Sequence, residues 1–138
     1  MNKPKRKPFD GLKVLIIGKV WPESRSSAAG SRMMQLIDLL MRHHFEVHFA
    51  SAASKSQHTD DLTPLGVVCH TIRLNDSSFD RFIRKLSPAV VIFDRFMTEE
   101  QFGWRVAEQL PDFHEREGFV SIGNFLHEPN RNAVRFLK

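Results

Sequence analysis

Between Gly18 and Gly30 the chain gathers hydroxyl, basic and glycine residues into one short stretch, Gly-Lys-Val-Trp-Pro-Glu-Ser-Arg-Ser-Ser-Ala-Ala-Gly. Ser26 and Ser27 can donate and accept hydrogen bonds, and Arg25 and Arg32 carry permanent charge. Gly18 and Gly30 lack the Cβ that would hold a ligand away from the backbone. At the start of a helix such a set can receive an anion, because the first N–H groups are unpaired and the helix dipole is positive there. The plainer role of the same residues is a helix cap with close packing and no ligand.

A second candidate pair, Asp94-Arg95, closes an apolar run. Asp94 could accept a hydrogen bond from a ligand hydroxyl; its plainer roles are an ion pair with Arg95 or a cap for the next helix. Gly123, Asn124 and His127 form a third, smaller group.

Several chemistries lack their residues. The Gly18–Gly30 stretch has neither the Gly-Lys-Ser/Thr ending of a nucleotide-triphosphate loop nor G-x-G-x-x-G spacing. No G-x-S-x-G elbow marks a hydrolase. The seven histidines, at 43, 44, 48, 58, 70, 114 and 127, show no zinc-like spacing, so no metal is expected. Cys69 is the only cysteine and sits in an apolar run, which suits a small buried hydrophobe better than a nucleophile. No catalytic residue and no cofactor are assigned.

The elements that must position these groups alternate in type. Leu12–Gly18 reads as a buried strand, and the stretch Ser31–Arg42 reads as a helix, with Met33, Leu36, Ile37, Leu40 and Met41 on one face. Phe45–Ala50 alternates Val47 and Phe49 with Glu46 and His48, as a half-exposed strand would. Val67–Arg73 is a third strand. Ser77 and Asp80 suggest a helix start, with Phe79, Phe82, Ile83 and Leu86 as the buried stripe and Pro88 as the stop. Ala89–Asp94 is a second fully apolar strand, and a helix is expected from Thr98, carrying Phe102, Val106 and Leu110. Phe119–Asn124 reads as a fifth strand, and Pro129 as the opening of a last helix.

This alternation predicts an α/β fold with a parallel sheet of about five strands. The two most apolar strands should be central and adjacent, giving the order 3-2-1-4-5. The loops Gly18–Gly30 and Asp94–Thr98 then meet at the switch point, outside the carboxyl ends of the strands.

The length, 138 residues, suits one domain, expected over 11–138 after a basic, disordered leader at 1–10. Lys3, Lys5, Arg6 and Lys7 lie in that leader. Without these four, the 20 basic residues fall to 16, matching the 16 acidic ones. A neutral body argues against nucleic acid as a partner and leaves at most weak contact of the leader with an anionic membrane surface. With no apolar stretch near the roughly 20 residues of a membrane span and no secretion signal, a cytoplasmic location is expected.

Three patches resemble the retaining GT-B glycosyltransferases of the glycogen-synthase-like group: Trp21–Met33, Phe93–Glu108 and Ile122–Asn130. The resemblance implies a Rossmann-like three-layer domain. In it, residues 11–111 correspond to the family's amino-terminal half, and 118–138 to the start of its carboxyl-terminal half. It also implies an internally shortened and truncated relative: the third patch, whose like opens the family's carboxyl-terminal half far downstream, here follows Leu110 almost directly, and the family's two glutamates separated by seven residues have no counterpart at the expected place. The partners so implied are a nucleotide-sugar donor and an acceptor hydroxyl. The loop residues Gly18, Arg25, Ser26, Ser27, Gly30 and Arg32, with Asp94 and Arg95, would lie on the acceptor or donor-phosphate side. Gly123, Asn124 and His127 would be a donor-side remnant. Little transfer is expected from one domain alone. The alternative is a non-enzymatic α/β module that binds a phosphate-containing ligand, a complementing chain or a second copy of itself.

Overall fold

A computed structural model of the chain describes residues 9–111. The expected fifth strand and last helix, and Gly123, Asn124 and His127, lie outside the described residues.

Strand β1 (Lys13–Gly18) is the apolar run Val14-Leu15-Ile16-Ile17, whose side chains are no more than 1% exposed. Such a run suits a strand covered on both faces. It pairs in parallel with β2 (Glu46–Ser51) on one side and β4 (Val90–Asp94) on the other. Strand β3 (Val68–Thr71) extends the sheet beyond β2, again in parallel. The four strands form one sheet in the order β3-β2-β1-β4. Among the described residues, the expected order is thus present over four strands.

Because side chains alternate across a strand, β1 feeds two cores. On one face Val14 and Ile16, with Val47 and Phe49 of β2, pack against Met33 and Ile37 of helix α1 (Ala28–Arg42). On the other, Leu15, Ile17 and Ala50 pack against α2 (Ser77–Leu86) through Phe79, Ile83 and Leu86, and against α3 (Phe96–Gln109) through Phe102 and Val106. Each fully buried side chain of this size contributes roughly 1.5–3 kcal/mol. The layers are therefore α1, the sheet, then α2 with α3, which is the expected α/β arrangement. The described connection from β2 to β3 contains only a 3-10 turn, Thr63–Leu65, with Pro64 in its first positions. Leu62 and Val67, buried beside that turn, join the core beneath α1.

Three local expectations are corrected. Helix α1 begins at Ala28, not Ser31: Ser27 is its extended N-cap and takes the Gly30 N–H at 2.9 Å. Helix α2 is capped by Asp76, whose carboxylate accepts from Ser78 N at 2.7 Å, so Ser77 is already helical. Helix α3 begins at Phe96, and the Thr98 hydroxyl instead donates to the Asp94 carbonyl at 2.7 Å. Strand β2 is also less exposed than its alternation implies. His48 is only 5% exposed, because β2 lies inside the sheet under α2.

Between α2 and α3 the Arg105 guanidinium meets both oxygens of Asp80, at 2.9 and 3.1 Å. Trp104 beside it is 53% exposed, with the Arg105 guanidinium 4.7 Å from its ring centre, while Phe102 is the residue that enters the core.

Gly30 sits where α1 meets the preceding loop. A Cβ there would come within 2.5 Å of the Glu23 carbonyl, which is backbone and cannot swing aside. Alanine normally gains up to about 1 kcal/mol over glycine inside a helix. Overpacking costs about 1–3 kcal/mol. The clash should prevail, so Gly30→Ala is expected to lower stability in chemical denaturation, with altered backbone shifts at residues 23–27. Equal or higher stability with unchanged shifts would contradict this packing.

Candidate functional site

At the carboxyl end of β1 the chain leaves the sheet beside the end of β4, with Gly18 in register with Asp94. The diverging connections leave a crevice of about 270 Å³. Val20, Trp21, Pro22 and Met33 give it an apolar wall; Glu23, Ser27, Asp94 and Arg95 supply the polar groups.

The wall is held from outside the crevice. The Trp21 indole N–H donates to the Ala53 carbonyl at 2.8 Å, and its ring packs on Phe49 with centroids 5.4 Å apart. Gly18 makes this possible, because a Cβ there would overlap the Phe49 ring. The Lys55 ammonium lies 4.6 Å from the Trp21 ring centre. Asp60 fixes the next turn: it accepts from Ser24 N at 2.6 Å and from the Ser24 hydroxyl at 3.0 Å, while its own N–H donates to the Pro22 carbonyl at 2.8 Å. The Glu23 carboxylate accepts from the hydroxyls of Ser56 and Ser26. These bonds, Ser56 first, hold its carboxyl below the usual carboxylate value.

Asp94 is placed differently. It ends β4 half-buried, and its carboxyl takes no hydrogen bond from any described residue. Burial pushes the carboxyl above its ordinary value, with only Arg95 opposing. A partly desolvated carboxyl in a crevice can accept from a ligand hydroxyl, neutralise an ammonium group or exchange a proton. Arg95 follows with φ of 76°, unusual for a side chain other than glycine, at the turn into α3. Such strain costs of order 1–3 kcal/mol and concentrates at functional sites.

Of the residues singled out from sequence, the structure brings Ser27, Gly30, Asp94 and Arg95 to the crevice. Gly18 is buried beneath it. Arg25, Ser26 and Arg32 are exposed and do not line it. The Ser27 hydroxyl and the Gly30 N–H bond to each other, so an anion at this helix start would compete with the cap. Sequence reasoning missed Trp21 and Glu23 as lining and Asp60 as a tether. The separation of 36 positions from Ser24 to Asp60 leaves no local pattern to find the tether by.

No protein-family model matches the chain, and no curated protein matches it. Among solved structures it is similar to two crystal structures of the MycE methyltransferase from the mycinamycin biosynthetic pathway. One is in complex with Mg and SAH, the other with Mg, SAH and mycinamycin VI. Identity is 20% to each, with TM-scores of 0.47 and 0.48, over 73% and 74% of this chain. The chain spans only 26% of each neighbour. These neighbours are methyltransferases, not glycosyltransferases, so the GT-B resemblance and the sugar transfer it implied are withdrawn. The first two patches hold what a doubly wound sheet needs around its switch point, a small-residue helix start and a polar strand end. At this level of likeness the methyltransferase neighbours assign no activity either.

Proposed function

We propose that the chain is a small-molecule-binding α/β module whose crevice at the ends of β1 and β4 takes an organic ligand bearing a hydroxyl or ammonium group. The observation that carries this reading is Asp94: a half-buried carboxyl that takes no hydrogen bond from any described residue, lining a crevice of about 270 Å³. That volume is near the lower end of ligand pockets, roughly 300–1,000 Å³. Donation from the ligand to Asp94 would fix its orientation, and the Trp21 and Met33 wall would cover its apolar part. Arg95 at the mouth supplies positive charge for a ligand that also carries an anionic group. The pinned loop supports the same reading, since a preformed site lowers the ordering cost of binding. The lone half-buried thiol of Cys69, with its pKa raised chiefly by burial, suits a reducing compartment, and we place the module in the cytoplasm.

Amide chemical-shift titrations with small polyols, alkylamines and inorganic phosphate test the reading. Binding of a polyol or amine should move the resonances of Trp21, Ser27, Gly30 and Asp94 together. Asp94→Asn should weaken an amine roughly tenfold or more, the cost of losing a charged hydrogen-bond partner. Shifts confined to other surfaces, or an Asn variant that binds amines equally well, would overturn it. Phosphate binding that survives Asp94→Asn would place recognition on the helix start instead.

The pH dependence has a definite sign. An amine needs Asp94 ionised, and burial raises its pKa above the ordinary 3.8. Affinity should therefore fall as pH drops through this raised value, sooner than for an exposed carboxylate. For the free protein, the raised value means that the folded state binds the proton more tightly. The Asp94 contribution to stability is thus fully present below 3.8 and is lost as pH rises through the folded value.

Asp60→Ala leaves Ser24 N–H and its hydroxyl without an acceptor. It should lower stability by about 1–3 kcal/mol in denaturant melts and weaken ligand binding as well. Unchanged stability would show that the tether does not hold the loop.

A further inference from the structure

On the face of the sheet covered by α2, three ionisable side chains form a continuous chain away from the crevice. The buried His48 ring sits between Glu46 on its own strand and His70 on edge strand β3. His48 Nε2 lies 2.8 Å from Glu46 Oε1, and His48 Nδ1 lies 2.9 Å from His70 Nε2. The two imidazoles are nearly parallel, at 15°, and His70 also packs on Phe82 of α2 with centroids 4.7 Å apart. Among the described residues, no group of three or more His, Cys, Asp or Glu is placed to hold a metal ion.

The distances dictate the protons. Glu46, as a carboxylate, can only accept, so His48 Nε2 carries a hydrogen and its Nδ1 is a lone pair when the ring is neutral. His70 must then donate from Nε2, which leaves its Nδ1 as the open end of the chain. A first proton can enter at that open end and leave both hydrogen bonds intact. A second must go to His48 Nδ1, where it sets two N–H donors against each other across 2.9 Å. Among the described residues, the hydrogen bonds of the two rings are the one to Glu46 and the one between them. From β1, Lys13 is the register partner of Glu46, and its Nζ donates to the Leu86 carbonyl. On α2, Ser78, Phe79 and Phe82 border the cavity beside His70; Asp80 is bound to Arg105, and Arg81, Arg84 and Lys85 are exposed.

We infer that Glu46, His48 and His70 form a proton-operated clasp that fastens edge strand β3 to the sheet, holding with no proton or one and releasing β3 when the pair takes two. Among the described residues β3 is paired on one side only, and a short strand so placed is the least costly element to open. Burial and the neighbouring His48 already keep His70 below the ordinary histidine value of 6.5. The unfolded chain therefore binds this proton first. Its contribution to stability is present above 6.5 and is lost as pH falls through the folded value.

Hydrogen exchange and histidine NMR titration of the 138-residue chain between pH 7.5 and 4.5 test the clasp. The His70 ring resonances should report two linked steps. In the second step, amide protection of Val68–Thr71 should fall about tenfold per pH unit relative to β1, as expected for one linked proton. His70→Gln keeps a donor toward His48 but cannot be protonated, and should remove this acid-dependent loss. Glu46→Gln keeps the acceptor but removes the negative charge that favours protonation, so release should move to lower pH; it is also the variant to use if His70→Gln does not fold. Independent single-step titrations, or β3 protection that follows β1 at every pH, would overturn the clasp. So would a release pH unchanged in Glu46→Gln.

Discussion

Strand β1 carries the strongest constraint in the molecule. It holds backbone pairing on both sides and apolar packing on both faces. Its position between β2 and β4 forces the chain to leave the sheet at Gly18 beside the end of β4. The two connections there must diverge, one toward α1 and the other toward α3 on the opposite face. The crevice is the gap that this divergence leaves.

What makes the gap a defined site is a set of polar bonds made away from it. Trp21 is anchored through Ala53, and Ser24 through Asp60. The connection between β2 and β3 thus serves two purposes: its apolar residues complete the core beneath α1, and its polar residues hold the β1–α1 loop. Asp94 contrasts with this pattern. The loop carboxylates Glu23 and Asp60 are engaged by hydroxyl or N–H donors, whereas the carboxyl of Asp94 is left to solvent or a ligand in a partly desolvated place.

The architecture was legible in the sequence where the physics is local. The apolar run at β1, the stripe of α1 and the Pro88 stop each follow from periodicity or backbone chemistry, and together they imply the strand order seen over β1–β4. Helix starts were displaced by one to three residues: near α1 and α2 several hydroxyl or acidic residues stand close together and only geometry decides which one caps, while α3 starts after Arg95 with no side-chain cap. His48 was misread as exposed because alternation along a strand reveals two faces but not how many are covered. Ser27, Gly30, Asp94 and Arg95 could be found because switch-point loops follow from strand order. Trp21, Asp60 and the His48–His70 pair could not, since their partners are distant in sequence or on another strand. The glycosyltransferase resemblance failed for a related reason: its patches report the shared demands of a parallel sheet, and these do not specify a reaction.

The account rests most directly on β1 lying between β2 and β4 with all three parallel. Cross-strand NOEs in the isotopically labelled protein measure this. The predicted result is a set of backbone cross-peaks linking Ile16 both to the Phe49 region of β2 and to the Ile92 region of β4, with Gly18 reaching Asp94. A β4 paired elsewhere, or running antiparallel to β1, would separate Asp94 from the β1–α1 loop and contradict the site.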